Sequence, residues 1–159
     1  MKQKALARWL KAAVIGVALC LAVVYLLIIP DFGKSIAAQN PEFAFCYWPW
    51  LIFLWCTSLP CIAALILSWG VAVRIGKDRS FCMENARALR AIAFLAAGDA
   101  AFFFIGNVVF LFLNMSHPGV VLLSLVPEFA GACIAIAAAA LSHLVHKAAE
   151  LQEQSDYTI

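Results

Sequence analysis

Charge is scarce in this chain: 13% of its residues are Asp, Glu, Lys or Arg, about half the share found in a soluble domain. Motifs of chemistry are scarcer still. There is no Gly-rich phosphate loop, no nucleophile elbow and no cluster of basic and aromatic residues suited to nucleic acid. These absences argue against nucleotide hydrolysis, hydrolase chemistry and direct nucleic-acid binding, so the chain reads as a non-enzyme without a cofactor. No run alternates apolar and polar residues with period two, which excludes a membrane β-barrel. The six cysteines make no disulfide framework. Cys20, Cys56, Cys61 and Cys133 sit within apolar runs, Cys46 at the edge of one, and Cys82 in a polar loop. Most read as small apolar residues.

Against those absences stand four long apolar runs, at about 12–29, 46–73, 91–113 and 119–145, in a chain that is 65% hydrophobic. About 20 helical residues cross the hydrocarbon of a bilayer, and in that medium the backbone must satisfy itself within each segment. The expected fold is therefore an all-α integral membrane protein with four transmembrane helices in a single domain, residues 1–159. The first run is longer than the 7–15 residues usual in a signal peptide, so it is expected to remain as an anchor.

Positive charge falls on alternate sides of these runs. Lys2, Lys4, Arg8 and Lys11 precede the first; Arg74, Lys77, Arg79, Arg87 and Arg90 lie between the second and third; Lys147 follows the fourth. Lys34 alone lies on the other side. The positive-inside rule then places both termini and the 74–90 loop in the cytoplasm of a bacterial inner membrane, with 146–159 as a cytoplasmic tail. Pro60 should bend the second helix by freeing the Cys56 carbonyl, and Thr57 and Ser58 are placed to bond the freed groups. The loop should turn at Gly76 and enter a helix near Cys82, with Glu84 in the first turn.

Two acids, Asp99 and Glu128, lie within the third and fourth runs. Ionisable groups at such depth are functional candidates by default. In antiparallel helices they reach within roughly 5 Å of the same depth, where facing carboxyls could share a proton or each could bond a polar neighbour such as Asn107 or Ser124. Around Glu128 runs a stripe of Ser124, Gly131, Ala132, Ala135, Ala139 and Ser142. Small residues of this kind let helices pack closely, within the chain or in a homo-oligomer. His143, His146 and Glu150 share one helix face, but three ligands on one helix are a weak metal signal; no metal site is expected.

Two segments carry a resemblance. Phe81-Cys82-Met83-Glu84-Asn85, opened by Gly76 and followed by Leu89-Arg90-Ala91-Ile92, is similar to the F-T-x-E-N loop of the bacterial membrane family of unknown function numbered 2975. The end, Leu151-Gln152-Glu153-Gln154-Ser155-Asp156-Tyr157-Thr158-Ile159, resembles that family's closing LQ-E-x-x-D-x-T-I/V. Cys82 departs from it, since threonine is favoured there and supplies a capping hydroxyl. The resemblance implies a four-helix bacterial membrane protein without an established activity, and a cytoplasmic helix-turn-helix regulator as partner. Phe81, Glu84, Asn85, Arg87 and Arg90, with Leu151, Asp156, Tyr157, Thr158 and Ile159, are expected to form the partner surface. The rival expectation is a small proton-linked transporter, or a subunit of one, using Asp99 and Glu128.

The topology has a direct check. In a variant keeping only Cys82, an impermeant maleimide applied outside intact cells should leave that thiol unlabelled, and labelling there would overturn the orientation.

Overall fold

The computed structural model describes residues 3–156, the last by its backbone. Within them the chain is helical without a strand. Helix α1 (Gln3–Val23) passes through a π-helical turn, Val24–Ile28, into α2 (Ile29–Gln39). A 3₁₀ segment, Pro41–Cys46, leads to α3 (Tyr47–Gly76), followed by α4 (Met83–Phe112) and α5 (Pro118–Asp156). Four continuous helical stretches are long and apolar enough to cross a membrane: Gln3–Gln39, Pro41–Gly76, Met83–Phe112 and Pro118–Ser155.

The first of these continues past Pro30, where the apolar run stops. Pro30 has no N–H for the Leu26 carbonyl, and a proline ring crowds the carbonyl four residues back. The backbone answers by widening one turn earlier, so the Ile29 N–H bonds the Val24 carbonyl five residues back. In that wider register the donor due to the Tyr25 carbonyl would be Pro30, which has none. The indole Nε1 of Trp55 on α3 donates to the Tyr25 carbonyl instead, at 3.1 Å. A proline in one helix is thus compensated by a tryptophan in the next.

Pro60 lies inside α3 without interrupting it. The neighbouring hydroxyls do not take up the Cys56 carbonyl, contrary to the sequence expectation. Thr57 Oγ1 donates to the Leu54 carbonyl at 2.7 Å and Ser58 Oγ to the Trp55 carbonyl at 2.6 Å, because a short hydroxyl on a helix reaches carbonyls three or four residues back, and that of Cys56 is only one or two back. The basic-end turn also pivots elsewhere than expected. Gly76 is the last residue of α3, and the left-handed residue is Asp78, at φ 60°. Gly76 serves packing, since a Cβ there would stand 3.2 Å from that of Ala7 on α1.

The helices lie in an open row in the order α1, α3, α4, α5. Among the described residues no Cα of α1 comes within 8 Å of α4 or α5, and none of α3 within 8 Å of α5. The chain exposes 10658 Å², against about 7800 Å² for a compact soluble protein of its mass. Little is buried within the protein, so acyl chains must cover most of its apolar surface. On α5 the buried residues follow one stripe against α4: Ser124, Ala135, Ser142, Val145 and Ala149. Ala132 and Ala139, expected in that stripe, are exposed; they flank the contact line. Gly131 lies on it, with room for a methyl only 3.4 Å from the Ala100 Cβ.

Between α3 and α4, at the end remote from the basic loop, Phe53 meets the rings of Trp50, Phe102, Phe103 and Phe110 at centroid distances of 5.2 to 5.9 Å. A Cβ on Gly106 would overlap the Phe53 ring, which this cluster holds in place. By contrast, nothing lies within 4 Å of a Cβ built on Gly98. Gly106→Ala should therefore cost about 1–3 kcal/mol by overpacking, and Phe53→Leu in the same chain should recover part of it. Gly98→Ala should be neutral or stabilising by up to about 1 kcal/mol through helix propensity. Thermal unfolding in detergent separates the two, and equal effects would contradict the packing described.

Candidate functional site

The basic end gathers the start of α1, the end of α3, the start of α4 and the last third of α5. Asn85 is its anchor. With 1% of its surface exposed, it accepts from Arg74 Nε at 2.7 Å and donates through Nδ2 to the Arg79 and Ser80 carbonyls at 3.1 and 2.9 Å. One side chain thereby closes the turn between α3 and α4 and gives a half-buried guanidinium an acceptor in place of water. Asn85 was expected on a partner surface; its burial removes it from that role. Beside it, Ser142 Oγ on α5 donates to the Ala86 carbonyl at 2.8 Å, and Ser80 Oγ donates to Gln3 Oε1 on α1 at 2.9 Å.

Around this anchor the loop and α5 face one another. A groove is lined by Arg79, Phe81, Met83, Glu84 and Arg87 on one wall and by Ala149, Gln152 and Glu153 on the other. Phe81 is 57% exposed and Leu151 67% exposed. Arg79 and Glu84 pair across the turn at 3.0 Å, both in water, where such a pair contributes little to stability. The Glu84 carboxyl is held below the usual carboxylate range, first by its own backbone N–H, then by Cys82 and by the charge of Arg79. Cys82 supplies no cap to α4; its thiol turns back to the Arg79 carbonyl at 3.4 Å. Arg90 is exposed on α4 but does not line the groove. The segment expected to be a tail continues α5 as helix to Asp156. The backbone of Asp156 ends that helix, and Tyr157, Thr158 and Ile159 lie outside the described residues. His146 meets Glu150 at 3.5 Å, and among the described residues no three His, Cys, Asp or Glu side chains converge as a metal would need.

Halfway along the helices lies a second group. Asp99 on α4 faces α3, where the Cys61 thiol donates to its Oδ2 at 3.8 Å; its Oδ1 is buried without a partner. The Tyr25 hydroxyl, on the π turn, lies 2.8 Å from Thr57 Oγ1. Thr57 has one proton and gives it to the Leu54 carbonyl, so Tyr25 is the donor in that pair. Cys61 stands one turn beyond Thr57 on the same face of α3, which sets Asp99, Cys61, Thr57 and Tyr25 in one polar line across three spans. Glu128 is not part of it. Its Oε1 lies 3.1 Å from Ser124 Oγ, one turn earlier on α5, and no hydrogen bond joins the two acids. Asn107, fully buried, bonds the Phe103 carbonyl of its own helix at 2.8 Å. Tyr25, Trp55 and Cys61 were not singled out from the sequence. The available signal was Pro30, five residues beyond Tyr25.

A four-span, all-helical membrane protein with a polar line through three of its spans is the class that this geometry defines. The chain belongs to the family described as protein of unknown function, DUF2975, whose model matches residues 31–159. It is similar to the uncharacterized membrane protein YoaS of Bacillus subtilis (strain 168), with 26% identity over 153 residues, covering 95% of this chain and 96% of that relative. No solved structure matches it.

Replacing Asn85 with Ala should leave the Arg74 guanidinium and two carbonyls short of partners, at a cost on the order of 3 kcal/mol. Purified Asn85→Ala protein should unfold at a clearly lower temperature while inserting normally. An unchanged midpoint would contradict the anchoring role.

Proposed function

We propose that this protein is a non-catalytic component of the bacterial cytoplasmic membrane, with its basic end in the cytoplasm, that docks a soluble regulatory protein on the groove between the 74–90 loop and the end of α5. The observation that carries this reading is the pairing, in one groove, of the two segments that resemble the family pattern. Apolar Phe81 stands exposed there beside Arg79, Arg87, Glu84 and Glu153, and Leu151, exposed on the same turn of α5, adjoins the groove wall at Gln152. Exposed aromatic and aliphatic anchors with a charged rim are what a protein partner buries. Tyr157, Thr158 and Ile159 extend the same surface in this reading, and the family resemblance favours a helix-turn-helix regulator as the partner. Nucleic acid would then be contacted by the partner and not by this chain.

Proton-linked transport fits less well. The two acids are bonded separately, and a single open row of helices encloses no passage without further copies of the chain. A homo-oligomer would supply such walls, and its presence or absence is read by the mass of the detergent-solubilised complex.

Burying a large apolar side chain contributes about 1.5–3 kcal/mol, and tenfold in affinity corresponds to about 1.4 kcal/mol. Phe81→Ala and Leu151→Ala should each weaken capture of the native partner from membranes by tenfold or more, with expression and helix content unchanged. Retention at full occupancy by the double variant would sink the assignment. A pH-gradient-driven flux abolished by Asp99→Asn with Glu128→Gln would replace it with transport.

A further inference from the structure

The polar line between α1, α3 and α4 has more acceptors than protons. Tyr25 gives its proton to Thr57, Thr57 to the Leu54 carbonyl, and Cys61 to Asp99. That leaves the lone pairs of the Tyr25 oxygen and Asp99 Oδ1 without donors. An ionised Asp99 would hold a full charge at mid-membrane depth with one thiol, a weak donor, as its hydrogen-bonding partner. Among the described residues no Lys, Arg or His faces it: the π turn after α1 presents Tyr25, α3 presents Cys61, and α5 packs through Gly131 against Ala96 and Ala100, with Glu128 bonded to Ser124.

We propose that Asp99 is a proton-binding site within the bilayer and that its proton fastens α1 to α3. One proton on Oδ2 reverses the bond to Cys61: the carboxylic acid donates to the sulfur, and the thiol is released to donate to the Tyr25 oxygen. The four groups then form one directed chain, Asp99 to Cys61 to Tyr25 to Thr57, ending on the Leu54 carbonyl. When the proton leaves, Cys61 turns back to the carboxylate and the Tyr25 oxygen loses its donor. The site lies where α1 is widened by the π turn and where α3 carries Pro60. Among the described residues α1 packs on no spanning helix but α3, with the Ser80–Gln3 bond as a further tie at the basic end, so loosening this seam frees α1 at mid-span without disturbing the packing of α4 on α5. The proposal stands apart from the docking of a partner at the basic end.

The test uses the full-length protein in lipid nanodiscs, with spin labels on ketone-bearing side chains at positions 19 and 62 so that Cys61 is kept. Leu19 and Ile62 are exposed on α1 and α3. In the wild type the inter-label distances should be narrowly distributed at low pH and should broaden as pH rises. The same step should remove a protonated-carboxyl infrared band that is missing from Asp99→Asn. Asp99→Asn, whose amide donates at every pH, should stay narrow throughout. Tyr25→Phe, which cuts the chain and leaves Asp99 in place, should be broad throughout and decides the matter should the Asn variant not fold. A wild-type distribution that ignores pH, a carboxylate already ionised at the lowest pH, or a Tyr25→Phe protein as narrow as the wild type would each overturn the proposal.

Discussion

In hydrocarbon a carbonyl without a donor has no water to fall back on, and two prolines force this chain to meet that constraint. Pro30 leaves α1 short of a donor; the π turn moves the deficit to the Tyr25 carbonyl, and the Trp55 indole fills it from α3. The same turn sets Tyr25 facing Thr57. The contact between the first two spans is thus specified by polar groups at two points, where apolar side chains alone would be as content with lipid as with one another. Around Pro60 the response differs. Short hydroxyls tie down the carbonyls just ahead of it, and α3 continues.

The two ends of the row are held by different chemistry. At the basic end the fixed points are hydrogen bonds: those of Asn85 close the turn between α3 and α4, and those of Ser142 and Ser80 join elements that are distant in sequence. At the other end they are rings: the aromatic group around Phe53, with Trp50 donating to the Met115 carbonyl in the turn between α4 and α5. A polar clamp suits the end that meets a charged, wet environment. An aromatic one suits the interface where amphipathic rings settle. The groove at the basic end is walled on one side by the loop that the polar clamp ties down.

The spans were legible in the sequence because 18 or more apolar residues in a row have few alternatives, and the helix entering at Met83 was legible from its acidic first turn. The length of the first helix was not, because a proline reads as a stop unless the backbone widens ahead of it, and that depends on a tryptophan 25 residues beyond Pro30. Asn85 looked like a surface residue because the loop around it is charged; its partner Arg74 lies 11 residues away, across a turn whose pivot, Asp78, carries no glycine to announce it. The two membrane acids were visible as residues but not as partners. Depth is set by rise per residue and can be counted along a helix. Facing depends on the rotation of each helix about its axis, which the neighbours decide.

The open row also bears on how the chain is made. Each spanning helix packs against the one before it, with α1 meeting α3 through the α2 and 3₁₀ connection, and among the described residues no spanning helix packs on one that is not its neighbour in the row. A span leaving the ribosome can dock on its predecessor at once, so assembly can proceed in the order of synthesis with few long-range loops to close. Stability in such an array is close to a sum of neighbouring interfaces. Damage to one seam should then lower the protein's resistance to unfolding locally and leave the far helices paired, as links of a chain fail one at a time.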